Sequence, residues 1–255
     1  MTICKSYLEM RVALVLTGYM RNWEEHFPMN CDNIIKKYNA DVYISSYSYS
    51  QEHWRANYID VDVNKVVNSY QPKNYIFRKK ETCPLIKFKN NGRERFGREW
   101  SERQIKGWYT NYLALELFDL SEYDIIIKSR PDLSVYNFEI NPKKKLVIPA
   151  WKVHPGPCEP HQSYADYFAY GNPTNMKKYF QVYSKIKNMN YKDIADISVG
   201  ETLIYDYIGK YIGHQKVSLD YNMDWYLKQT EMSAEQQRNL YRTIAPDAVL
   251  KFPPL

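Results

Sequence analysis

The chain has 255 residues, 44% of them hydrophobic and 25% charged, enough to bury a large core without metal or disulfide staples. Its net charge of +6 is spread along the chain, with only short runs such as Arg78-Lys79-Lys80 and Lys143-Lys144-Lys145; this argues against a nucleic-acid track and suits a small polyanionic ligand. The scattered cysteines (Cys4, Cys31, Cys83, Cys158) have no zinc or disulfide spacing, no run of about 18 apolar residues is present, and residues 1–9 lack a signal-peptide core, so a soluble cytoplasmic protein is expected.

Residues 1–9 read as an extension preceding one domain over 10–255. Arg11 to Thr17 is a continuous apolar run, the mark of a strand buried on both faces of a parallel sheet. The loop Thr17-Gly18-Tyr19-Met20-Arg21 follows. A helix is expected over about 23–38, with Asn22 and Glu25 in capping-box spacing and a kink at Pro28. Asp41 to Ser46 is the next strand, completing a β-loop-α-β opening with its ligand site at the strand's C-terminal end.

A helical pattern covers 61–70, a short strand 74–78, and a long polar loop 81–97. A helix over about 98–118 carries Ile105, Trp108 and Leu113. Ile125 to Ile127 make a central strand, and the chain leaves it through Lys128-Ser129-Arg130-Pro131-Asp132. Another strand is expected at 145–150, then an irregular loop over 152–165 containing His154 and His161, and a short apolar segment at 166–171. Asn172-Pro173 has the cap-then-proline signature of a helix start, and this helix runs to about 188. Ser198-x-x-Glu201 opens a further helix to about 212, a late strand covers 216–220, and a helical tail begins near Ser233. Together these give an α/β domain with a central, mostly parallel sheet flanked by helices.

Chemistry is expected in the two strand-end loops. Gly18 permits close backbone approach, and no GxGxxG or P-loop spacing is present. Lys128, Arg130 and Asp132 at a buried strand's exit need either a ligand or one another. In the first case Asp132 holds a hard cation and Lys128 or Arg130 grips phosphate; in the second, Arg130 and Asp132 pair internally. Twenty-five tyrosines supply flat amphipathic area suited to sugars and bases, although compositional drift is the plainer explanation of such a count.

The segments Val-Leu-Thr-Gly-Tyr-Met-Arg-Asn (15–22), Asn-Ala-Asp-Val-Tyr-Ile (39–44), Ile-Lys-Ser-Arg-Pro-Asp-Leu (127–133) and Asp-Tyr-Phe-Ala-Tyr-Gly (166–171) resemble a group of glycosyltransferase-like proteins. That group belongs to bacterial surface-polysaccharide clusters and large DNA viruses. The resemblance covers roughly residues 10–220 and implies a GT-A-like (Rossmann-like) fold, a nucleotide-diphosphate sugar donor, a glycan acceptor and Mn²⁺ or Mg²⁺, in bacterial or, for a virus, host cytoplasm. The usual GT-A signature, Asp-X-Asp, reads Ser-Arg-Pro-Asp here, which retains only Asp132.

Carried over, Thr17, Gly18, Tyr19 and Arg21 touch nucleoside and diphosphate, joined by Lys128 and Arg130, with Asp132 on the metal. Gln104, Trp108 and Asn111 share a helix face that lines the donor pocket; for Trp108 the competing reading is plain core. Asp166, among Tyr164, Tyr167, Phe168 and Tyr170, is the first candidate for the base that deprotonates an acceptor, and Glu201 the second, although its capping-box position explains it structurally. Inverting and retaining outcomes stay open. Two alternatives stand beside this reading: a non-catalytic glycan- or nucleotide-sugar-binding protein, and a sugar nucleotidyltransferase.

Overall fold

A computed structural model describes residues 10–50, 58–79, 98–136, 138–149, 164, 166–186, 200–220 and 224–227; for 98–104, 200–202, 219–220 and 224–227 it describes the backbone alone. The strands are β1 (Val12–Gly18), β2 (Asp41–Tyr47), β3 (Tyr49–Ser50), β4 (Ile59–Asp60), β5 (Asn74–Arg78), β6 (Ile125–Ser129), β7 (Leu133–Tyr136), β8 (Leu146–Pro149), β9 (Phe168–Gly171), β10 (Val217–Asp220) and β11 (Asp224–Leu227). The α-helices are α1 (Trp23–Asn30), α2 (Val63–Tyr70), α3 (Arg98–Leu113), α4 (Pro173–Phe180), α5 (Val182–Ile186) and α6 (Gly200–Tyr211).

Seven strands form the central sheet in the order β10-β8-β9-β6-β1-β2-β5. All run parallel except β9, which is antiparallel to both β6 and β8. The expected α/β architecture with a mostly parallel sheet is therefore present. The chain lays β2 and β5 on one side of β1, then crosses to place β6 on the other. That reversal is a topological switch point, and in open α/β sheets the ligand crevice lies there, outside the strands' C-terminal ends.

The centre is as apolar as the sequence demands. Ala13, Leu14, Val15, Leu16, Ile126 and Ile127 are completely buried, and a fully buried aliphatic side chain contributes about 1.5–3 kcal/mol. Strand alternation and the pairing Val15↔Lys128, Val15↔Tyr43, Thr17↔Ser45 and Lys128↔Ala169 put Val15, Thr17, Tyr43, Ser45, Lys128 and Ala169 on one face. Helices α3 and α4 pack on that face. On the other, Phe138 meets Phe168 and Tyr170 edge to face.

Local departures have identifiable causes. The helix expected over 23–38 is α1 followed by a π-helical stretch, Cys31–Lys36. Pro28 lies inside α1, removes one N–H and crowds the preceding turn, so the hydrogen-bond ladder shifts register just beyond it. The capping box at Asn22 does not form. Asn22 is left-handed (φ 45°) with no side-chain cap bond, whereas an N-cap needs extended backbone. Asn172 does cap α4, accepting from Asn175 N–H, with Pro173 at the first helical position. That helix breaks at Gln181 before α5, and the last turn of the helix expected over 98–118 tightens to 3₁₀ at Ala114–Glu116. The loops at 81–97 and 152–165 (Tyr164 apart), with His154 and His161, the capping residue Ser198 and the tail beyond Ser233 lie outside the described residues.

Candidate active site at the switch point

At the end of β1 the chain turns through Gly18, whose φ of 104° excludes ordinary L-residues. Its N–H donates to Thr110 Oγ1 of α3 (3.0 Å) and its carbonyl accepts from Ser46 Oγ (2.7 Å). The contribution of Gly18 is therefore shape: it swings the chain toward the β6 exit, where a Cβ would sit 3.9 Å from Arg130 Cγ. The next residue, Tyr19, stacks on Tyr47 (5.2 Å, 26°) and meets Tyr49 edge on (5.8 Å). Tyr58 packs against Tyr49 in turn (5.1 Å). A wall of tyrosines flanks the crevice on the β2 side.

Arg21 reaches across to the β6 exit. Its Nη2 lies 3.0 Å from Asp132 Oδ2. Arg130 grips the same carboxylate with both ends of its fork, Nε to Oδ1 at 2.8 Å and Nη2 to Oδ2 at 2.6 Å. The Asp132 side chain is 4% exposed, whereas those of Arg21 and Arg130 are 30% and 22% exposed. Burial alone pushes the Asp132 pKa upward, but Arg130 and then Arg21 outweigh it and hold the value at about 2. The carboxylate is ionised and clamped, and two guanidinium groups are fixed at the crevice. His26, missed in the sequence, lies close enough to help hold Asp132 ionised. It is buried on the face of α1 that also carries Trp23 and Asn30, and its Nδ1 pairs with Ser134 Oγ at 2.8 Å. The i, i+3, i+7 spacing of 23, 26 and 30 was the available signal.

Lys128, expected to grip phosphate, is engaged within the protein. It is buried on the α4 face, and its Nζ donates to the backbone carbonyl of Asp166. Loss of hydration lowers its pKa to about 7, against the opposing pull of the Asp166 carboxylate. Asp166 itself is half-buried, and its carbonyl also receives Tyr179 OH at 3.5 Å. Because β9 runs antiparallel, the start of β9 lies beside the exit of β6, and Arg130 N–H donates to Tyr167 O (3.1 Å). Asp166 thus sits at the same rim as Gly18, Arg21 and Arg130.

Beneath the rim, Trp108 is buried against Tyr179 (5.9 Å) and is part of the core. Asn111 is buried beside it on α3. Thr17 Oγ1, Trp108 Nε1 and Asn111 Oδ1 are buried without hydrogen-bond partners. A buried polar atom left unpaired costs about 1–3 kcal/mol, so a polar ligand or solvent reaching these atoms would bring relief. The side chains of Gln104 and Glu201 lie outside the described set.

A divalent cation fits this donor set poorly. Both Asp132 oxygens accept from the Arg130 guanidinium, and Arg21 adds an ion pair to Oδ2. Two positive charges already lean on the only carboxylate of the Arg-Pro-Asp element, and among the described residues no group of three His, Cys, Asp or Glu side chains converges. Among the same residues no helix is long and apolar enough to cross a membrane.

No protein-family model matches the chain, and no curated protein matches it by sequence. Among solved structures it is similar to the galactosyltransferase LgtC in complex with donor and acceptor sugar analogues. The identity is 9% and the TM-score 0.42, over 82% of this chain and 72% of that one.

Proposed function

We propose that the protein is a glycosyltransferase that moves a sugar from a nucleotide-diphosphate donor to a hydroxyl of a glycan acceptor. The observation that carries this reading is the pair of arginines fixed at the switch point, beside a tyrosine wall on one side and the Asp166 carboxylate on the other. A diphosphate is the ligand that planar, permanently charged forks recognise best, and the crevice between diverging strand ends is where an open α/β sheet binds nucleotides. Tyr19 and its neighbours offer the flat amphipathic surface that a base or sugar needs. The short sequence resemblance points the same way.

In this reading Arg21 and Arg130 bind the diphosphate and stabilise the charge that grows on it as the anomeric carbon–oxygen bond breaks. Asp166 takes the proton of the acceptor hydroxyl as that oxygen bonds to the anomeric carbon. Its backbone, pinned by Lys128 and Tyr179, is held in place for that task. The test is a donor screen. Purified protein is incubated with UDP-, GDP- and TDP-sugars with and without simple glycan acceptors, and released nucleoside diphosphate is measured. Release from one donor, reduced at least about a hundredfold in Asp166→Asn, is expected from the usual contribution of a general base. Absence of release from every donor, with all of them failing to bind, would sink the proposal.

A second reading, a nucleotide-sugar-binding protein without turnover, is favoured by one feature: both oxygens of Asp132 are engaged by arginine. Donor binding without release in the same screen would select it.

A further inference from the structure

Resting on the donor reading above, we infer that the Arg21–Asp132–Arg130 cluster takes the place of a divalent cation, so that this chain holds its nucleotide diphosphate without metal. Among the described residues the cluster joins two guanidinium groups and one carboxylate, a net single positive charge at the C-terminal ends of β1 and β6. Asp132 is the deeper group and the two arginines are the partly exposed ones, so what the cluster presents to solvent is cationic. A dication bound to Asp132 would have to displace the Arg130 N–H groups at 2.6 and 2.8 Å and the Arg21 ion pair at 3.0 Å, and then sit against two like charges.

The sequence is consistent with this: Asp132 is preceded by Pro131 and Arg130, so the strand exit carries one carboxylate with a guanidinium two residues before it. Asp132 is then a positioning residue. It orients two forks that would otherwise repel each other, and it reaches the ligand only through them. Arg21 enters from the loop after β1 and Arg130 from the exit of β6, so the clamp forms only when the sheet has brought both loops together.

The experiment is calorimetric titration of the full chain with UDP, GDP, TDP and inorganic pyrophosphate, once in EDTA and once in Mn²⁺. At least one nucleoside diphosphate is expected to bind in EDTA with a Kd within about twofold of that in Mn²⁺. Arg21→Ala and Arg130→Ala should each weaken it by roughly tenfold or more, the usual worth of a hydrogen bond to a charged group. Asp132→Asn should weaken it too, and with wild type present the Mn²⁺ electron-paramagnetic signal should stay that of the same Mn²⁺–diphosphate mixture without protein. Binding seen only with Mn²⁺, with a changed Mn²⁺ signal that Asp132→Asn abolishes, would overturn the inference and leave the glycosyltransferase reading standing. Binding in neither arm, with circular dichroism showing folded protein, would overturn both.

Discussion

The two ends of the same four strands, β5-β2-β1-β6, use ion pairs in opposite ways. At the N-terminal ends, Arg11 pairs with Glu122 with both side chains 55% exposed, and Lys73 pairs with Asp41 at 56% and 26%. At the C-terminal ends of β1 and β6, Asp132 is 4% exposed between two arginines, Lys128 is buried outright, and Thr17 Oγ1 has no partner. Exposed pairs in water contribute little, because solvent screens them and long side chains lose freedom to make them. Buried charge is expensive unless something uses it. The first end tidies a surface; the second carries a constraint that core packing alone does not ask for, as expected of a binding site.

Substitutions should separate the two ends in order of burial. Asp132→Ala leaves two guanidiniums facing each other over a gap. Breaking a buried pair costs about 3–5 kcal/mol, and the partial exposure of Arg21 and Arg130 puts the expected loss near the lower figure, read as a fall in urea midpoint. Below its ordinary pKa of 3.8 the same group acts in wild type: the stability it supplies is complete above that value and is lost as pH falls toward about 2. Gly18→Ala forces an L-residue to φ 104°. It should cost about 1–2 kcal/mol and displace the loop carrying Tyr19 and Arg21, weakening donor binding more than it lowers the urea midpoint.

Lys128 gives a pH signature. Its folded pKa, about 7, lies below the ordinary 10.5, so between these values the unfolded chain binds more protons than the folded one. Stability from this group therefore rises as pH goes from 7 toward 10. Urea midpoints at pH 7 and 9 should differ in wild type, and the difference should shrink in Lys128→Met. An unchanged difference would show that Lys128 is ionised in the folded chain throughout. The smallest effect is expected at the other rim, where Arg11→Ala should leave the melting temperature unchanged within error, with or without added salt.

Apolar runs made β1, β2 and β6 legible in the sequence, and with them the two strand-end loops; that β6 lies on the far side of β1 from β2, which makes the switch point, came only with the fold. Asn172-Pro173 was equally legible, because cap and proline are both local signals. Asn22-x-x-Glu25 has the same kind of pattern and failed, since the left-handed turn at Asn22 is set by the loop's path toward Arg130 and no local spacing reports that. The direction of β9 was hidden for a similar reason: Phe168 to Gly171 is apolar whichever way it runs. The Arg130–Asp132 pair was foreseen as one of two readings because its partners are two residues apart. Arg21 joins the same carboxylate from far away in the chain, so only the fold could supply it, and its arrival moves Asp132 from metal ligand toward clamp. Lys128 looked like a phosphate grip at a strand exit; strand alternation turns it inward instead, onto the Asp166 carbonyl.

The most direct measurement is hydrogen–deuterium exchange of the whole chain with and without the nucleotide sugar that binds best in the donor screen. The expected result is new protection in segments 17–22, 128–132 and 166–168, with exchange at 120–124 and around Lys73 unchanged. Protection confined to the N-terminal rim, or to segments away from both rims, would contradict a donor site at the switch point.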